Sequence, residues 1–174
     1  AGTADALVLD ARDSSVPLAA AILVADCVPV LLAAPGGLLA AVVHVGRAGL
    51  VAGVLPAALE RLTGLDAAGA RPGGLRAAIG PSICGACYEV SAELRDEVAA
   101  AHPAAASETR WGTPGLDVAA GVRAVLRGYG IEADERAARC TYEHHDLYSY
   151  RRATHAGHGV TGRVAGVVRT AARA

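Results

Sequence analysis

Two apolar runs joined by a single turn signal constrain this chain more than anything else in it. Residues 18–32 are apolar apart from an interruption at Asp26-Cys27, and residues 38–45 form a second run after Pro35-Gly36-Gly37. Runs this short, bounded by proline and glycine, read as buried strands around a tight turn. His44 ends the second strand. Gly46 and Gly49 then open a helix over residues 50–62, which puts His44 at a strand-to-helix junction.

The rest of the chain alternates in the same way. Residues 64–74 read as a loop, and 75–79 as a short strand that stops at Gly80-Pro81; another loop follows, carrying Cys84 and Cys87. Ser91 is a good N-cap for an amphipathic helix with Leu94, Val98 and Ala101 at helical spacing, broken at His102-Pro103. Leu116, Val118, Val122, Val125 and Leu126 repeat with helical period, Asp117 can cap that helix, and Gly130 ends it. With 174 residues, 53% of them hydrophobic, the chain is expected to form one domain over 1–174, with a core that needs no disulfides. Its 21 glycines and 8 prolines break the apolar runs too often for a helical bundle, so a mixed α/β fold is expected.

Several functional classes drop out. Asp26, Pro35 and Gly36 interrupt the longest apolar stretch before it reaches the roughly 18 residues of a membrane-spanning helix. A formal net charge of -1 supplies no basic stripe for a phosphate backbone, so nucleic acid is not an expected partner. The chain starts at Ala1 with nothing like a secretory leader, and a cytoplasmic location is expected. Four cysteines in a chain this long are too sparse for a disulfide scaffold and point to free thiols or metal ligands.

Read alone, Cys27 is a small buried side chain in an apolar run. Next to His44 it becomes more, because both lie near the ends of adjacent strands, where a thiolate and an imidazole can converge on zinc. A metal-free pair, with Cys27 as nucleophile and His44 as base, fits the same spacing. Cys84 and Cys87 form the chain's one C-x-x-C, half of a structural zinc site; an ordinary loop role or a redox pair fits equally. Residues 140–152 are dense in Tyr, His and Arg within an otherwise aliphatic chain, which marks a site or an interface. There Arg151 and Arg152 can clamp an oxyanion, or simply pair with nearby acids. His144, His145, His155 and His158 lie in or just after this segment, where exposed loop histidine is commoner than metal ligand.

Four motifs then occur in order. They are Ala25-Asp26-Cys27-Val28-Pro29-Val30, His44-Val45-Gly46-Arg47-Ala48-Gly49, Gly80-Pro81 through Cys84, Cys87 and Tyr88-Glu89-Val90, and Tyr148-Ser149-Tyr150-Arg151-Arg152 with Thr161-Gly162-Arg163. In this the chain resembles the bacterial YfiH/YlmD-like laccase-domain family, first described as multicopper polyphenol oxidases and later as purine nucleoside phosphorylases with adenosine deaminase activity. The resemblance implies a layered mixed α/β fold, similar to that of a deamidating toxin domain, in which two β-sheets are flanked by helices. It also implies a zinc held by one Cys and two His. Cys27 and His44 carry over as ligands, and the remaining His is expected in a segment upstream of Ala1. The family's usual Trp-Arg is replaced here by Arg47-Ala48, which moves the positive charge one position earlier.

On that resemblance the substrates would be purine nucleosides and inorganic phosphate. Phosphorolysis needs an anion site, for which Arg47, Arg151 and Arg152 are candidates, and deamination needs an activated water, which zinc can supply. Glu89 and Asp26 are the carboxylates nearest the motifs. Two further alternatives are a copper polyphenol oxidase, disfavoured because the chain has no Met for a weak axial ligand, and a non-catalytic binding domain that keeps the fold.

Overall fold

A computed structural model of the chain describes residues 4–65 and 74–173, so most of the loop expected over 64–74 lies outside the described residues. The two apolar runs behave differently from each other. The run after the turn is one strand, β4 (Leu39–Val45), whereas the run before it splits into β2 (Ala19–Val24) and β3 (Val28–Ala33), which belong to different sheets. The division falls at Asp26, which has φ 80°, the left-handed region that Asp tolerates better than most residues.

With β1 (Ala6–Asp10), β5 (Arg76–Ile79) and β8 (Ala133–Asp134), strands β3 and β4 make a five-stranded sheet in the order β1-β4-β3-β5-β8. It is antiparallel except for the β5–β8 pair. β2 pairs instead with β9 (Val164–Arg169) in an antiparallel ribbon that packs on β3 and β4. A third pair, β6 (Ala106–Glu108) with β7 (Pro114–Leu116), is antiparallel as well.

Strand β4 is apolar at nearly every position because both of its faces are covered. Leu39, Ala41, Val43 and Val45 point into the main core with Val28, Val30 and Leu32, while Ala40 and Val42 are buried on the opposite face. The core side is closed by helices. The single helix expected over 50–62 is two, α1 (Arg47–Val51) and α2 (Val54–Leu65), divided at Gly53, whose φ of 75° suits glycine. Leu55, Ala58, Leu59 and Leu62 form one buried stripe of α2 against β4 and β1, and each leucine contributes roughly 1.5–3 kcal/mol. Next come α3 (Ala92–Ala101), a single 3-10 turn at Pro103–Ala105, and α4 (Val118–Gly128), which buries Val118, Val122 and Leu126. Ribbon, sheet and helices thus form the layered mixed α/β fold expected.

Candidate metal and nucleoside site

The bend at Asp26 ties three segments together. Its carboxylate accepts the Thr141 hydroxyl (2.6 Å) and the Arg151 backbone N–H (2.7 Å), and its carbonyl accepts the Ile83 N–H (3.0 Å). The loop after β5 and the Tyr-rich segment, which ends in α5 (Tyr150–His155), are therefore both moored beside Cys27.

Pairing of β3 with β4 then brings Cys27 and His44 to the same end of the sheet, two register positions apart. Val28 faces Val45 and Pro29 faces His44, so Cys27 comes opposite Gly46. A Cβ at Gly46 would lie 3.0 Å from the Cys27 sulfur, so glycine there leaves the thiol its room. Cys27 and His44 line one pocket of about 310 Å³ together with Asp5, Arg47 and Tyr88. Asp5 holds the histidine twice: its backbone carbonyl accepts the His44 N–H (2.7 Å), and its carboxylate lies 3.0 Å from Nδ1. A carboxylate can only accept, so Nδ1 carries a hydrogen, which leaves Nε2 as the ring nitrogen that can ligate.

That arrangement suits a metal. A ligating histidine commonly donates its other N–H to a carboxylate, which fixes ring and tautomer. Burial pushes the Cys27 thiol up from its ordinary range, and the charges of Asp26 and Asp5 push it further in the same direction. A nucleophilic cysteine needs the reverse shift, whereas a thiophilic cation would offset both causes. The donor set of thiolate and oriented imidazole therefore fits zinc better than it fits a metal-free dyad. We expect Asp5→Ala to weaken zinc binding at this pocket by about 10–100-fold, measurable by competition with a chromophoric chelator. An unchanged affinity would mean that Asp5 does not orient a ligand.

The arginines separate. Arg47, the first residue of α1, lines the pocket. The Arg151 guanidinium stacks over the Tyr88 ring at 5.1 Å and donates to the Glu89 carbonyl (2.8 Å), at the pocket's edge. Arg152 is engaged elsewhere. Its guanidinium donates to the carbonyls of Thr141 (2.5 Å), Tyr142 (2.9 Å) and Leu147, and it lines a different cavity with Arg110, Tyr142, Glu143 and His145. The loop histidines stay outside the Cys27 pocket too: His144 contacts Arg139, and His155 lies edge-on to Tyr142.

A second group of ligand-type side chains was only half visible in the sequence. Cys140 joins Cys84 and Cys87, and the three sulfurs lie within 4.8 Å of one another, close enough for one metal ion; all four cysteines are free thiols. Burial raises the Cys84 and Cys87 thiols above their ordinary range. Arg110 reaches the Cys87 sulfur (2.9 Å) and pairs with Glu143, whose carboxylate it holds below its usual range. Cys140 opens the aromatic, histidine-rich segment, and that change of composition was the available signal.

Fold and pocket define a laccase-domain protein. The chain belongs to the multi-copper polyphenol oxidoreductase laccase family, whose model it matches over residues 1–171. It is similar to a purine nucleoside phosphorylase of Streptomyces coelicolor, at 52% identity over 151 residues, which cover 87% of this chain and 59% of that protein. A Corynebacterium glutamicum protein of the same description is 39% identical over 169 residues, 95% of this chain and 65% of the relative. Among solved structures, a Neisseria meningitidis protein superposes with a TM-score of 0.77 at 29% identity, covering 98% of this chain and 65% of that one. YlmD from Geobacillus stearothermophilus gives 0.76 at 26% identity, covering 97% and 61%. The chain thus spans roughly three fifths of the length of these relatives.

Proposed function

We propose that the chain carries the metal-binding part of a purine nucleoside phosphorylase that also deaminates adenosine, with Cys27 and His44 as zinc ligands. The phosphorylase part of this reading is supported by the description of the relatives. One observation carries the metal: the Asp5 carboxylate, 3.0 Å from His44 Nδ1, leaves Nε2 as the nitrogen available to a cation in the pocket that Cys27 also lines. When bound, zinc supplies Lewis acidity at that point.

The chain's own residues have distinct parts. Arg47 supplies fixed positive charge inside the pocket and Arg151 supplies it at the rim, where a guanidinium meets phosphate oxygens two at a time. Tyr88 offers a ring face for a base, with the Arg151 cation on it. In phosphorolysis a phosphate oxygen bonds to the anomeric carbon as the C–N bond to the purine breaks, and the departing base takes up a proton. Arg152 acts indirectly, by holding residues 141–147 in place.

The test is incubation of adenosine, inosine and guanosine with the zinc-loaded protein and inorganic phosphate, followed by chromatography. Free base and ribose 1-phosphate are expected, with inosine formed from adenosine as a second product. Arg151→Ala should raise the phosphate requirement by about 10-fold or more. Conversion of adenosine to inosine alone, independent of phosphate, would leave a deaminase without phosphorolysis. Oxidation of a phenol by copper-loaded protein, with no base released, would replace the reading altogether.

A further inference from the structure

The C-x-x-C in the loop after β5 has no part in the Cys27 pocket, yet the fold brings a third thiol to it from far along the chain. Cys84 and Cys87 belong to one irregular segment and Cys140 to another. The two run together through a bridge between Ser82 and Cys140, with Ser82 N–H donating to the Arg139 carbonyl (3.1 Å) and Thr141 N–H to the Ser82 carbonyl (3.0 Å). With zinc–sulfur bonds of about 2.3 Å, sulfurs around a tetrahedral centre lie roughly 3.8 Å apart, so a set already within 4.8 Å closes on an ion by small side-chain movements.

We propose that Cys84, Cys87 and Cys140 form a second metal site, for a thiophilic closed-shell cation, zinc(II) or copper(I), that staples the loop after β5 to the segment leading into α5. Thiolate is the donor that selects these ions over harder ones. Cys87 and Cys140 are buried while Cys84 is half-buried, which encloses the ion but leaves it a way in. Arg110, 2.9 Å from the Cys87 sulfur, offsets part of the negative charge of three thiolates. Zinc takes a fourth donor, for which Glu143, paired with the Arg110 that reaches Cys87, is a neighbouring carboxylate; copper(I) needs none.

The staple would act on the nucleoside pocket through its neighbours in sequence. Cys87 precedes Tyr88, which lines that pocket, and Cys140 precedes Thr141, whose hydroxyl holds the Asp26 carboxylate beside Cys27. The site's role is structural, in keeping with an all-thiolate set.

Cobalt(II), zinc(II) and copper(I) added separately to reduced, metal-free protein test this, in the wild type, Cys27→Ala and Cys84→Ser. The wild type should bind two equivalents, and Cys27→Ala should keep one, with the strong thiolate-to-cobalt absorption of a three-sulfur site and a higher melting temperature when loaded. Cys84→Ser should lose that absorption and weaken binding at this site by about 100-fold or more. The ion retained in competition distinguishes zinc from copper(I). Should Cys27→Ala not fold, wild-type stoichiometry and the alkylation rates of the thiols with and without metal decide the matter. Absence of the three-sulfur cobalt absorption from both the wild type and Cys27→Ala, or unchanged alkylation of Cys84, Cys87 and Cys140 in the presence of metal, overturns the site and leaves the three thiols as core packing, whereas a single equivalent that keeps this absorption counts against the Cys27 site instead.

Discussion

Replacing Asp26 by alanine is expected to destabilise the protein by about 4–8 kcal/mol. The carboxylate accepts from the Thr141 hydroxyl and the Arg151 backbone N–H, and Thr141 is fully buried. Alanine leaves both donors without a partner, and hydrogen bonds to a charged group contribute about 1.5–3 kcal/mol each. It must also hold φ at 80°, at a cost of about 1–2 kcal/mol for a residue with a Cβ. Asp26→Gly separates the two causes, since it relieves the backbone but loses the bonds, so its stability should fall between alanine and wild type. Asp26→Asn keeps a tolerant backbone and one accepting oxygen, and should lose about half as much. Denaturant midpoints at constant slope give the comparison. Equal stability of the alanine variant and the wild type would remove Asp26 from its place as the mooring of the pocket.

Asp26 also shows where a reading of the sequence stops. The break at Asp26-Cys27 is visible in the apolar pattern, and so is a strand on each side of Pro35-Gly36-Gly37. What the pattern does not carry is that β2 and β3 part at this point into different sheets, because both remain apolar and only the three-residue bend at 25–27, with Asp26 at positive φ, separates them. The helices were more legible. Ser91 caps α3 by accepting from Leu94 N–H (3.3 Å), and Asp117 caps α4 by accepting from Ala120 N–H (2.7 Å), as their positions before apolar repeats imply. Strands β6, β7 and β8 have two or three residues each, too few for a period of two to register, and β9 alternates only between exposed and partly buried positions apart from Gly166.

The site divides along the same line. Cys27 and His44 come together through local pairing of neighbouring strands, so their meeting in one pocket follows from run, turn and run. Asp5 and Cys140 reach their partners only through tertiary contacts, from β1's leading edge to β4 and from the Tyr-rich segment to the loop after β5. Neither carries a signal that spacing can read. Arg151 and Arg152 are adjacent in sequence and alike in charge, yet one stacks on Tyr88 while the other is consumed by backbone carbonyls. Both lie in the first turn of α5, where successive side chains point about 100° apart around the helix.

On the proposed function, the largest loss is expected for Cys27→Ala, which should remove about one metal equivalent and lower turnover of purine nucleosides by about a thousandfold or more. Thiolate is the strongest zinc donor in this pocket, and removing a direct ligand should cost more than the roughly 10–100-fold that loss of an orienting partner costs. Cys27→Ser and Cys27→Asp refine the result. Aspartate can still ligate a cation and should recover part of the metal, whereas serine should resemble alanine. The thiol's own titration supplies a check independent of turnover. In metal-free protein the folded Cys27 pKa lies above that of the unfolded chain, so folding binds the proton more tightly and stability must fall as pH rises through the unfolded thiol value of about 8.5. Below that pH the contribution is fully present. Alkylation of Cys27 at neutral pH should accordingly be slower than that of a free thiol, and bound zinc should slow it further by occupying the sulfur. Rapid alkylation at neutral pH, together with full turnover of a metal-stripped protein, would instead identify Cys27 as a nucleophile and exchange the zinc site for a cysteine–histidine dyad.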